Sequence, residues 1–159
     1  MNSGSQAERE RPSRGRRLRL DLAALLLLPP LALLLAPEGR LACAEPYVSE
    51  RSPDGAWTLT LCRRPMWFAM PGGASDAPGW LVLRDRTGAI RGVTELSMVQ
   101  SYGAVAGGET TWMPDRVERL MVTEMPLPRT TDPMRVWLED RLWRLRALFG
   151  LVASDDAFH

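Results

Sequence analysis

The sequence contains no lysine. All 20 of its Lys+Arg residues are arginine, and its one histidine is the last residue, His159. Without lysine there is no Schiff-base amine and no P-loop lysine. One terminal histidine argues against Ser-His-Asp and Cys-His sites, HExxH motifs and multi-histidine metal sites. Carboxylates, hydroxyls and two cysteines, Cys43 and Cys62, are left for chemistry. The formal net charge of +1 gives no basic excess for nucleic-acid binding. A single Ile and a single Asn accompany the missing lysine, a bias that GC-rich codon usage leaves.

The N-terminus is tripartite. Residues 1–21 hold six Arg, Leu22–Ala36 is an apolar run interrupted by Pro29 and Pro30, and Ala42-Cys43-Ala44 supplies small residues at the −3 and −1 positions of a cleavage site. This is the pattern of a secretory signal peptide cut after Ala44. The alternative is an uncleaved anchor. The run is shorter than the roughly 20 apolar residues of a spanning helix, but the Arg cluster would still hold the N-terminus in the cytoplasm. Either way residues 45–159 lie across the membrane, periplasmic or secreted when cut, held at the inner membrane when not. A cut after Ala44 also removes Cys43 and leaves Cys62 without a partner in its own chain.

Beyond residue 44 the sequence predicts a mainly β (α+β) fold: a small antiparallel sheet of five or six strands with one C-terminal amphipathic helix. Ser52-Pro53-Asp54-Gly55 is a turn with a physical cause in each residue. It joins a strand near Tyr47–Glu50 to Ala56–Cys62, where Trp57, Leu59 and Leu61 alternate with Thr58, Thr60 and Cys62. Further strands are expected at Trp80–Asp85, Ile90–Val99, Thr110–Met113 and Arg116–Glu124, with a flexible loop at Gly103–Gly108. The domain therefore spans 45–124, a Pro-rich linker spans 125–133, a helix spans 134–150 and a disordered tail spans 151–159. Asp132-Pro133 supplies the helix N-cap and first position, and Gly150 its stop. Met134, Trp137, Leu138, Leu142, Leu145, Leu148 and Phe149 share one arc, and Val136, Trp143 and Ala147 form a narrower stripe opposite.

Two stretches carry a resemblance. Ser52-Pro53-Asp54-Gly55-Ala56-Trp57, with Trp80–Gly88 after it, resembles one blade of a Tol-type periplasmic β-propeller. A propeller needs at least four blades, and this chain has room for one or two. Phe68-Ala69-Met70-Pro71-Gly72-Gly73, Ser75–Trp80 and Glu95–Gln100 resemble a group of small exported proteobacterial proteins of unassigned function. That resemblance implies a periplasmic immunity or accessory role near type VI secretion or toxin genes.

The residues themselves favour binding over catalysis. Cys62 has Arg63 and Arg64 beside it to lower its thiol pKa, but no internal histidine to act as base. The turn aspartates match no calcium loop, and no pattern points to a cofactor or metal. Trp67, Phe68 and Met70, in the long loop 65–79, and Trp143 on the helix are the candidate partner-binding residues. The expected partner is another protein, not a nucleic acid, with membrane contact open to the N-terminal segment and the C-terminal helix. The sequence therefore reads as a non-enzymatic interaction module of the bacterial envelope. A membrane-tethered component is the second reading, and a small enzyme using carboxylates or Cys62 the third.

Overall fold

The structure is a computed structural model that describes residues 14–43, 46–65, 77–104, 109–119 and 122–153. It comprises two compact units, residues 1–35 and 36–159.

The first unit contains helix α1, Arg14–Leu35, which continues through Pro29 and Pro30. Each proline removes one backbone donor, yet the flanking Leu and Ala residues keep the helix. Its first eight residues carry four Arg and one Asp, so the apolar part within the helix is Leu22–Leu35, about 21 Å long at about 1.5 Å per residue, shorter than a hydrocarbon core of about 30 Å. Among the described residues the window Ala24–Leu41, which runs from α1 into the second unit, is the one long and apolar enough to cross a membrane, a test that an N-terminal signal sequence also passes.

The second unit holds two antiparallel sheets, where the sequence predicted one. The first consists of β1 (Pro46–Arg51), β2 (Trp57–Arg63), β3 (Gly79–Asp85) and β4 (Ile90–Leu96), in that order. The turn before β2 closes as its residues dictate. Ser52 Oγ donates to Asp54 Oδ1 at 2.6 Å and accepts from the Trp57 amide at 2.9 Å, while Gly55 takes φ +67. The β3–β4 turn is built alike: the Asp85 carboxylate accepts from the Thr87 amide and hydroxyl, and Gly88 takes φ +85.

The second sheet is β5 (Thr110–Trp112), β6 (Arg116–Arg119) and β7 (Thr123–Pro126). The single strand expected over Arg116–Glu124 thus breaks in two, because the Val122 amide turns back onto the Arg119 carbonyl at 3.0 Å. The expected Ile90–Val99 strand ends at Leu96, and Ser101–Ala104 forms a short helix, α2, whose last two residues fall in the expected Gly103–Gly108 loop.

Alternation along β2 and β3 gives the four-stranded sheet two apolar faces. Leu59, Leu61, Leu81 and Leu83 pack with Val99, Tyr102, Val117 and Met125, which joins the two sheets. Gly92 marks a close approach: a Cβ there would lie 2.8 Å from the Met125 methyl. Arg119 ties the same junction, donating to the Tyr102 carbonyl at 2.7 Å and pairing with Glu50 of β1 at 3.2 Å. On the other face Cys62, Trp80, Val82 and Val93 pack with Leu41 and Ala147. That face is covered by helix α3, Pro133–Leu148, and by a 3-10 turn at Gly39–Leu41.

Helix α3 begins and ends as its sequence predicts. Asp132 caps the Met134 amide with Pro133 at the first position. At the C-terminus Gly150 takes φ +68, and the amides of Gly150 and Leu151 bond back to Ala147 and Arg146, a Schellman closure.

Candidate functional site

The segment 36–43 is an integral part of the second unit. Leu41 is fully buried, and Ala36 is 2% exposed. Arg84 Nη2 donates to the Leu41 carbonyl at 2.9 Å, and Arg141 Nη1 donates to the Ala36 carbonyl at 3.1 Å. Glu38 pairs with Arg144 at 2.9 Å. Cys43 then forms a disulfide with Cys62, their Cα atoms 5.4 Å apart. The expectation that Cys62 lacks a partner in its own chain was made for a chain cut after Ala44; in the uncut chain Cys43 is that partner. Cys62 is also 3% exposed and faces a covered side of the sheet. As a buried half-cystine it is no nucleophile.

Beside α3 lies an open cleft of about 860 Å³. Trp57 of β2 and Trp137 of α3 supply its largest apolar side chains, joined by Val136, Ala56, Pro128 and Pro133. The β3–β4 turn, the 128–133 connection and Glu38 complete the lining.

Two arginine networks line it. Arg91 of β4 is 5% exposed. Its guanidinium pairs with Asp85 at 3.1 Å and Glu139 at 3.2 Å, donates to the Thr130 carbonyl at 3.0 Å, and lies 6.0 Å from the Trp57 ring centroid. A cation so deeply placed needs these partners, because desolvation penalises an unpaired charge heavily. Burial pushes the Asp85 carboxyl up, but hydrogen bonds from Thr87, Arg91 and the Ala89 amide outweigh it, so the pKa lies below the usual aspartate value. The second network centres on Asp140 of α3, 6% exposed. Its Oδ1 accepts from the Ile90 amide at 2.9 Å and from Arg144 Nη2 at 3.1 Å. Arg144 Nε lies 2.8 Å from Oδ2, close but off-line for a hydrogen bond.

Chemically the cleft offers aromatic walls and charges already engaged with one another. Among the described residues its hydroxyls, those of Thr87, Thr130 and Thr131, have no histidine near them, and the sequence has no lysine. Among the described residues no group of three or more His, Cys, Asp or Glu is placed to hold a metal. Its tryptophan faces are of the kind on which a planar or apolar ligand stacks.

Of the candidate residues read from the sequence, the two that the structure describes, Ala42 and Trp143, do not line this cleft. Trp67, Phe68 and Met70 lie outside the described residues, as does Ala44, while Ala42 is exposed. Trp143 is half-buried against the core that holds Cys62 and Trp80, with Arg146 4.9 Å from its ring centroid. Sequence reading passed over Arg91 and Asp140. For Asp140 a signal existed: a carboxylate on the Val136–Trp143–Ala147 stripe with Arg144 four residues on is an internal ion pair waiting for a partner strand.

No protein-family model, curated protein or solved structure matches this chain.

Proposed function

We propose that this protein is a non-enzymatic binding module of the bacterial envelope, held by α1 at the outer side of the membrane, with the Trp57–Trp137 cleft as its binding site. The observation that carries the reading is the fastening of residues 36–43. A cut after Ala44 would take the buried Leu41, the cleft residue Glu38 and one half-cystine away from the domain. A disulfide also fits an oxidising compartment, not the cytosol. The apolar α1 then serves as a tether and not only as an export signal.

Intact-mass measurement of the protein recovered from membranes tests this. Retention of residues 36–43 together with α1 is the expected result, and a chain starting at Glu45 would refute it. For the binding half, the double variant Trp57→Ala, Trp137→Ala should lose the envelope protein captured by the unaltered chain, while its thermal unfolding remains cooperative. Equal capture by both would remove the cleft from the reading.

A freely released module is the second reading. The Ala42-Cys43-Ala44 motif favours it.

A further inference from the structure

The face that α3 turns outward is apolar. Met134 and Phe149 are 71% and 70% exposed, and Leu138, Leu142 and Leu148 are exposed with them. At 100° per residue these five positions fall within an arc of about 120°. Leu151, beyond the Schellman turn, extends the exposed apolar surface. The inward face is the narrower one, with Ala147 and Asp140 buried and Trp143 half-buried. Arg141, which bonds the Ala36 carbonyl, interrupts the outward arc, yet five exposed apolar residues grouped on one side of a helix, unlike leucines scattered singly, mark a contact surface.

Two observations bear on what would cover it. The first is where the domain is attached. Arg141 and Arg144 of α3 hold Ala36 and Glu38, and Ala36 is the residue that follows the last residue of α1. The domain's point of attachment is therefore bonded to α3 itself. The second is charge. Arg141 and Arg144 are engaged within the domain, but Arg135 and Arg146 are exposed and stand together along one edge of the apolar arc. A basic helix with an apolar stripe is the composition of segments that lie in the interface of an anionic bilayer.

We propose that the outer face of α3 rests on the anionic lipid surface of the membrane that α1 anchors, with Met134, Leu138, Leu142 and Phe149 in the headgroup–acyl boundary. This rests on α1 acting as a tether. The contact makes the attachment two-point: a spanning helix and an interfacial one. It also fixes which side of the domain, and hence of the cleft, faces away from lipid.

The test uses the full chain reconstituted into vesicles of phosphatidylcholine with phosphatidylglycerol. A photoreactive benzoylphenylalanine replaces Phe149 in one sample and the exposed Arg51 in a control. Lipid adducts at Phe149 and none at Arg51 are the expected result, lost when Leu138→Glu and Leu142→Glu are added. Adducts at Phe149 to a second copy or to another protein, or no adduct at all, overturn the proposal. Flotation of the same vesicles separates this failure from failure of the tether. A chain that floats without lipid adducts refutes only the α3 contact, whereas a chain that does not float refutes the tether.

Discussion

Removing the disulfide should weaken the domain by an amount that the chain itself sets. Cys43 and Cys62 are 19 residues apart in sequence. Closing a loop of about 20 residues lowers the entropy of the unfolded chain by the equivalent of about 3 kcal/mol. The double variant Cys43→Ser, Cys62→Ser avoids a stray thiol and keeps both side chains small. With a urea slope of about 2 kcal/mol per M, its unfolding midpoint should fall by roughly 1.5 M, with the slope little changed. Tryptophan emission is a suitable reporter, because Trp80 sits in the same core as Cys62 and Leu41. Reductant should move the unaltered protein to the midpoint of the variant and leave the variant where it is. An unaltered protein indifferent to reductant, with a midpoint equal to the variant's, would refute the reasoning. The clasp would then contribute nothing to the fold, and with it would go the argument for a tether.

Three further outcomes follow from the same geometry. Asp140→Ala strands the Ile90 amide and leaves Arg144 with Glu38 alone, so it should cost about 3–5 kcal/mol in chemical unfolding, while Asp140→Asn, which keeps the Ile90 bond, should cost less. Gly79→Ala would place a Cβ 2.8 Å from the Cys62 carbonyl and 2.5 Å from a Val99 methyl. It should destabilise by about 1–3 kcal/mol and by more than Gly92→Ala, which meets only the movable end of Met125. The Asp85 carboxyl titrates lower in the folded chain than in the unfolded one, so its contribution is full above about pH 4 and lost as the pH falls through the folded value. Urea midpoints of Asp85→Asn and the unaltered protein should accordingly differ at neutral pH and converge in acid. A constant gap would count against the assignment.

Local chemistry was legible in the sequence, and long-range pairing was not. The Ser52–Gly55 turn, the alternation in β2 and both caps of α3 are written in adjacent residues, and the structure forms each of them. The two-sheet arrangement depends on the reversal near Val122, where no Gly or Pro marks a turn. The Cys43–Cys62 pairing was hidden for a different reason. Cys43 stands inside an A-x-A motif, and the motif says nothing of the strand that the cysteine meets. The rotation of α3 is a third case. Hydrophobic periodicity favours burying the broad arc, yet the polar pairing of Asp140 with Ile90 and Arg144 turns the narrow one inward. Of the cleft, the sequence marked Trp57 as an inward-facing strand residue and Trp137 as part of the broad helical arc, with no sign that they share a wall.

The cross-link has a mechanical consequence. Tension arriving from the direction of α1 enters at Ala36 and meets the covalent bridge at Cys43. It therefore passes into Cys62, on the second strand of the sheet, without first running through β1. The 18 residues between the half-cystines are shielded from load, so the edge strand that a pull from this end would otherwise peel away first is the part it cannot reach.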